Sequence, residues 1–296
     1  MKNVLKRCAL RAAFIVPLAA FLGSPFPGLA STLLGSAQSF AVLGYAGVTS
    51  AVTDPATQIY GNVGSTPATL AAITGFPPGS ITGGTELGPG SIADQALAAI
   101  DAAAVTLAGY AQTGTYAVNL GGLGVPITPG VYDLSGAATD LIGTVVLDAE
   151  NIPNARFVFR LPSTLTTATG AVVSVINGDP GTEVYWVVGS SVELFAGTSF
   201  EGNILAYAGI ALDSTASIVC GRAFSETGSV TLIDNNISGD CTNQSFSTSH
   251  SDFGSLGFSG GTGAETGGVP EPGTLTLLGI GLGAGVLLLS KFRSAR

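Results

Sequence analysis

The 296-residue chain sets 10 Lys and Arg against 19 Asp and Glu, a formal net charge of −9, yet only 10% of its residues are charged and 46% are hydrophobic. Disorder needs low hydrophobicity and few β-branched residues, so the composition describes a folded chain whose surface is built from Ser, Thr, Gly, Asn and Ala. Between residues 31 and 268 only Arg156, Arg160 and Arg222 are basic, against 18 carboxylates, which excludes electrostatic binding to nucleic acid or to an acidic lipid surface.

Residues 1–30 read as a secretory signal peptide. Lys2, Lys6, Arg7 and Arg11 flank the start of an apolar run over 12–22, and Gly28-Leu29-Ala30 offers small residues at the cleavage positions. That run is too short to span a bilayer. A later cut after Ala37 is the alternative, and Cys8 lies ahead of the run, out of place for a lipoprotein anchor.

Residues 31–241 are expected to be one domain, long enough to bury a substantial core. Its first part holds short extended pieces, Phe40-Ala41-Val42-Leu43, Val48-Thr49-Ser50-Ala51-Val52 and Gln58-Ile59-Tyr60. They are broken by Asp54-Pro55, Gly61-Asn62 and Phe76-Pro77-Pro78-Gly79. Over 91–112 the pattern changes. Ile92, Ala96, Ile100, Ala104, Leu107 and Tyr110 recur at three- and four-residue steps, which predicts one amphipathic helix of about 20 residues. Ser91 is placed to cap it, with Asp94 three residues on as in a capping box.

From Tyr116 onward strands return and repeat. Segments around Leu165, Leu194, Leu212 and Leu232 align; the last three leucines are 18 and 20 residues apart, and the first gap of 29 fits one coil plus an extra loop over 177–181. Apolar residues sit at each leucine and, in three of the four rows, two places before it, as in strands with one buried face. A period near 20 with a strand per repeat points to a β-solenoid, whose coils bury their inner faces only by stacking. An antiparallel sandwich also has regular short strands, but similar segments would not return at coil length. The residues flanking each leucine then face outward: Thr164 and Thr166, Glu193 and Phe195, Ala211 and Asp213, Thr231 and Ile233.

Cys220 and Cys241 remain after processing. In an oxidising compartment they are expected to form one disulfide, worth about 3 kcal/mol for the loop it closes. Their spacing lacks the CxxC pairs of a zinc site.

Catalysis needs a constellation of residues that is missing. The only histidine, His250, falls in the stretch 242–268, a Ser, Gly and Thr linker with scattered Phe. No Ser-His-Asp or Cys-His set assembles without it, and no pair of carboxylates stands out by spacing. Asp234-Asn235-Asn236 reads as an end-of-coil turn rather than a Ca²⁺ loop. No catalytic residue, metal or cofactor is expected. In the final segment, 269–296, an apolar run over 275–290 precedes Lys291, Arg293 and Arg296. That is the pattern of a short transmembrane helix with its basic end in the cytoplasm.

Residues 38–241 resemble the ice-binding proteins. The resemblance is carried by Phe40-Ala41-Val42-Leu43, Ile73-Thr74-Gly75-Phe76-Pro77-Pro78-Gly79, Thr128-Pro129-Gly130-Val131-Tyr132, Phe157-Val158-Phe159, Gly202-Asn203-Ile204-Leu205-Ala206 and Gly221-Arg222-Ala223, in order and with the helix in place. It implies a right-handed discontinuous β-solenoid, mainly β and triangular in section, with one long helix packed alongside. It also implies adsorption to ice through a flat Thr/Ser-rich face. The Thr-(Ala/Gly)-x-(Thr/Asn) element of that family falls on Thr167-Ala168-Thr169-Gly170, Ala196-Gly197-Thr198-Ser199, Ser214-Thr215-Ala216-Ser217 and Asp234-Asn235-Asn236-Ile237, none a full match. The candidate ice contacts are therefore Thr164, Thr166, Thr167, Thr169, Thr198, Ser199, Asp213, Ser214, Ser217 and Thr231. The alternative is a structural or adhesive matrix protein that uses the same fold on extracellular polysaccharide. The tail resembles PEP-CTERM sorting signals, on Val269, Pro270, Glu271 and Pro272 ahead of the apolar run. This implies an exosortase-type partner, transient anchoring in the membrane and a final place at the cell surface or outside the cell.

Overall fold

The computed structural model describes residues 33–239, apart from 52–54, 117–118, 136–137 and 179–180. Three parallel sheets make up the domain, each coil of chain contributing one strand to each sheet in turn. The second sheet runs Ala138–Leu141, Thr164–Thr167, Val192–Leu194, Ile210–Leu212, Ser229–Leu232, Gly47–Ser50, Ile73–Thr74. The third runs Thr144–Asp148, Val172–Ile176, Ser199–Glu201, Ser217–Val219, Asn236–Ser238, Gln58–Tyr60, Ser80–Thr82. The first has nine strands, from Gly114–Tyr116 at one edge through Arg156–Leu161 and Ala223–Ser225 to Phe40–Gly44 and Glu86–Leu87 at the other. The stack is thus out of chain order: the two N-terminal coils sit beyond the last one. Parallel pairing throughout rules out the antiparallel sandwich.

The way back is α1, Ile92–Ala108, which carries the chain past the sheet to the opposite end of the stack. Ser91 caps it, its hydroxyl accepting from Ala93 N at 3.1 Å. Asp94 does not close a capping box. Its carboxylate accepts instead from the Thr66 hydroxyl, which ties the helix start to an N-terminal coil, and from Gly90 N at 2.8 Å; the Thr66 bond first, and then the Gly90 bond, hold its pKa below the ordinary value. The helix stops at Ala108, so Tyr110 lies outside it. Gly109 follows, and Arg160 donates to the carbonyls of Ala108 (2.8 Å) and Tyr110 (2.9 Å) there. Ala93, Ala96, Ile100, Ala103 and Leu107 are buried against Val158, Tyr185, Leu205 and Phe224 on the outer side of the first sheet. Small residues on the helix let it lie close over the bulky ones on the strands.

Inside the stack, the pleat sends alternate residues inward, and those residues repeat level by level. Leu165, Val192, Ile210, Val230, Val48 and Ile73 form one inward column of the second sheet. The first leucine row of the sequence alignment is therefore offset by two: Leu165 stacks on Val192, and Thr167 lies level with Leu194. The coils differ in length. Thr139 to Leu165 is 26 residues and Leu165 to Val192 is 27, whereas the next two coils take 18 and 20. Large rings fill the longer coils: Tyr132, Phe159 and Trp186 are stacked, Phe159 and Trp186 with centroids 4.2 Å apart, while Ile204 and Ala223 hold the same positions further on.

Between the second and third sheets the five coils from Ala138–Leu141 to Asn236–Ser238 each turn at one left-handed residue. These are Gly143, Gly170, Gly197, Thr215 and Asp234, with φ between 55° and 79°. Asn235, buried beside Asp234, donates to the carbonyls of Asp213 (2.7 Å) and Ala216 (2.9 Å), so this Asp-Asn pair is an end-of-coil turn. Cys220 is fully buried and disulfide-bonded; Cys241, His250 and residues 269–296 lie outside the described residues. No helix among the described residues is long and apolar enough to cross a membrane.

Candidate functional site

Of the three sheets, the first is covered by α1, which leaves the outer faces of the second and third open to solvent. On the second sheet the register aligns Thr166, Glu193, Ala211, Thr231, Thr49 and Thr74 in one outward column. Neighbours in such a column stand about 4.8 Å apart. Glu193, Thr231, Thr49 and Thr74 are exposed, while Thr166 and Ala211 are half-buried. The column has two halves of different chemistry. The carboxylate of Glu193 stands beside Thr166 at the end with the long coils. At the other end Ala211, Thr231, Thr49 and Thr74 follow one another without a charge.

The expected contact residues scatter over several surfaces. Thr164, Thr166 and Thr231 stand on the outer face of the second sheet, and Asp213 follows directly on its strand Ile210–Leu212. Thr169 and Ser214 are exposed at the corner, each just before the left-handed residue of its coil. Ser199 and Ser217 belong to the third sheet, where they pair with each other in a column that also holds Thr144, Val172, Asn236, Gln58 and Ser80. They cannot share a plane with Thr166, because the corner turns the chain between the two sheets.

Thr167 and Thr198 are corrections of another kind. Both are 1% exposed, with their hydroxyls 2.8 Å apart, and Thr167 also accepts from Phe195 N at 2.9 Å. Thr167 has the parity of Leu165, so the pleat sends it inward, and the corner folds Thr198 over it. They satisfy each other and the backbone inside the fold and present nothing to a surface.

Thr49 and Thr74 are the functional candidates that sequence reasoning missed. Val48-Thr49-Ser50-Ala51-Val52 reads as a short extended piece, but nothing local places it beside Thr231. Among the described residues no grouping of three or more His, Cys, Asp or Glu side chains could hold a metal ion.

A family model described as ice-binding-like matches residues 42–238. An ice-binding protein of Nostoc sp. is 37% identical over 267 residues, covering 88% of this chain and 87% of its own length. Another, from Leucosporidium sp., is 31% identical over 67% of this chain and 79% of that protein. Among solved structures, an ice-binding protein from an Antarctic biological consortium superposes with a TM-score of 0.62 at 36% identity, covering 69% of this chain and 89% of the other. One from the Antarctic ascomycete Antarctomyces psychrotrophicus gives 0.63 at 33% identity, over 70% and 97%.

Proposed function

Because the chain belongs to the ice-binding-like family, we propose that it adsorbs to ice through the outer face of the second sheet, at the end where Ala211, Thr231, Thr49 and Thr74 form an uncharged column. The observation that carries this reading is that uninterrupted column. Each Thr offers one hydroxyl to a water and one methyl that limits where the next water sits. Strand pairing on both sides fixes Thr231 and Thr49 at the inter-strand spacing. β-branched side chains are stiff at χ1, so little entropy is lost when the face meets a solid. Glu193 works against adsorption at the other end, because a carboxylate organises water around its charge rather than in a lattice. Thermal hysteresis and recrystallisation inhibition by the purified protein test the proposal. Ice growth unaltered at millimolar protein would overturn it.

The same reading has the protein exported and displayed. Leu34 and Ala37 are fully buried in the cluster beneath α1, which supports removal of the signal peptide after Ala30 rather than after Ala37. The Val269, Pro270, Glu271, Pro272 motif, followed by the apolar run and a basic end, supports anchoring until an exosortase-type enzyme cuts near the motif. Deleting residues 269–296 should send the protein into the medium; unchanged retention at the cell surface would refute the sorting assignment.

A further inference from the structure

Among the described residues, neighbouring coils of the stack are consecutive in the chain at every level but one. Phe40–Gly44, Gly47–Ser50 and Gln58–Tyr60 sit on Ala223–Ser225, Ser229–Leu232 and Asn236–Ser238 with no connecting peptide between the two coils. Backbone bonds cross this joint from Ala46 N to Gly228 O, from Ala51 N to Leu232 O and from Gln58 N to Asn235 O, each 2.8 Å. Such bonds could form equally well one register away. Side chains must therefore fix the joint.

Arg222 stands at this level and is fully buried. Its Nη2 and Nε both donate to the carbonyl of Gln38 across the joint, at 3.1 and 3.3 Å, and its Nη1 donates to Asn203 Oδ1 at 3.0 Å. Asn203, also fully buried, donates in turn to Val184 O at 3.2 Å. One polar chain therefore runs through four successive levels, from Val184 to the segment leading into Phe40–Gly44. A buried guanidinium is costly unless it is hydrogen-bonded, so a slipped joint would strand it. Its planar fork also meets the Gln38 carbonyl with two donors, which an ammonium cannot do with the same geometry.

We propose that Arg222 is a positioning residue that latches the N-terminal coils onto the solenoid in a single register, and so keeps Thr49 beside Thr231 on the ice face. The ice part of this statement rests on the function proposed above; the latch itself does not. Amide exchange by mass spectrometry tests it on the wild-type protein, Arg222→Met, Arg222→Lys and a far-end control, Phe159→Leu. Both Arg222 variants should speed exchange over 40–50 and 58–65 by about tenfold or more, while 131–134 and 184–188 keep wild-type protection. Phe159→Leu should show the opposite distribution. Thermal hysteresis should fall by about fivefold or more in Arg222→Met and less in Arg222→Lys, and stay near wild type in the control. Should Arg222→Met fail to fold, Arg222→Lys decides, since it keeps the charge and stem without the fork. Unchanged protection over 40–50, or protection lost evenly along all coils, overturns the latch. If the wild-type protein shows no hysteresis, the ice reading fails while the exchange pattern still judges Arg222.

Discussion

Thr231 and Thr49 are direct neighbours on the outer face of the second sheet, although 182 residues separate them in the chain. Each lies in a strand paired on both sides, Thr231 between Ala211 and Thr49, and Thr49 between Thr231 and Thr74. The column thus crosses the one level of the stack that has no peptide link.

Replacing Thr49 with Tyr raises a bulge in the middle of that column without touching the core, so stability should change by no more than about 0.5 kcal/mol. A rigid crystal plane cannot adapt to a protrusion, and hysteresis should fall by about tenfold or more. Thr166→Tyr, beside the Glu193 carboxylate, should cost less. Ser217→Tyr on the third sheet is the control. Loss of activity there, with Thr49→Tyr active, would move the site to the other face.

Glu193 interrupts the column between Thr166 and Ala211. Its side chain is exposed, so Glu193→Thr removes a charge and adds a methyl without a packing penalty. Hysteresis should rise about twofold, and the gain should be absent when Thr231 is already Tyr. An unchanged activity would mean that this half of the column takes no part in contact, and a lower one that the carboxylate itself aids adsorption.

Much of this architecture is legible in the sequence because a strand's period of two forgives error. The leucine alignment sets Leu165 level with Leu194, whereas Leu165 stacks on Val192, yet a slip of two leaves Thr164 and Thr166 outside and Leu165 inside. What alternation cannot supply is the order of stacking. Thr49 and Thr74 precede the helix, and only the return of the chain along α1 puts their coils beyond Ser229–Leu232. Nor does periodicity mark corners. Thr215 and Asp234 take the left-handed turn that Gly143, Gly170 and Gly197 take elsewhere, so Ser199 and Ser217 could be read as one surface with Thr231 when they lie on another sheet.

Glu226 lines an apolar groove of about 750 Å³ beside α1, together with Val105, Val187 and Tyr207. Burial first, and then the nearby Asp101 carboxylate, raise its pKa above the ordinary 4.5. A raised folded-state pKa means that the folded protein holds this proton more tightly than the unfolded chain. The group's cost is therefore absent below 4.5 and grows as pH rises through the folded value. Glu226→Gln should raise the melting temperature at pH 7, and the difference from wild type should vanish near pH 4. A variant no more stable at neutral pH would show that water in the groove solvates the carboxylate fully.

Thr167 and Thr198 supply the sharpest separation between a face and a core. Thr167 accepts from Phe195 N and shares a hydrogen with Thr198, whose hydroxyl also reaches the Ala168 carbonyl at 3.4 Å. Thr198→Val keeps the shape but removes the partner of the Thr167 hydroxyl in a site where water cannot replace it. Leaving one buried hydroxyl unsatisfied costs about 1–3 kcal/mol, which a denaturant midpoint resolves readily. Thr167→Val should cost as much, since it also strands the Phe195 amide. Neither change alters the outer column, so thermal hysteresis per folded molecule should stay at the wild-type level for both. The opposite pattern, intact stability with hysteresis lost, would place these hydroxyls at the ice surface and contradict their burial.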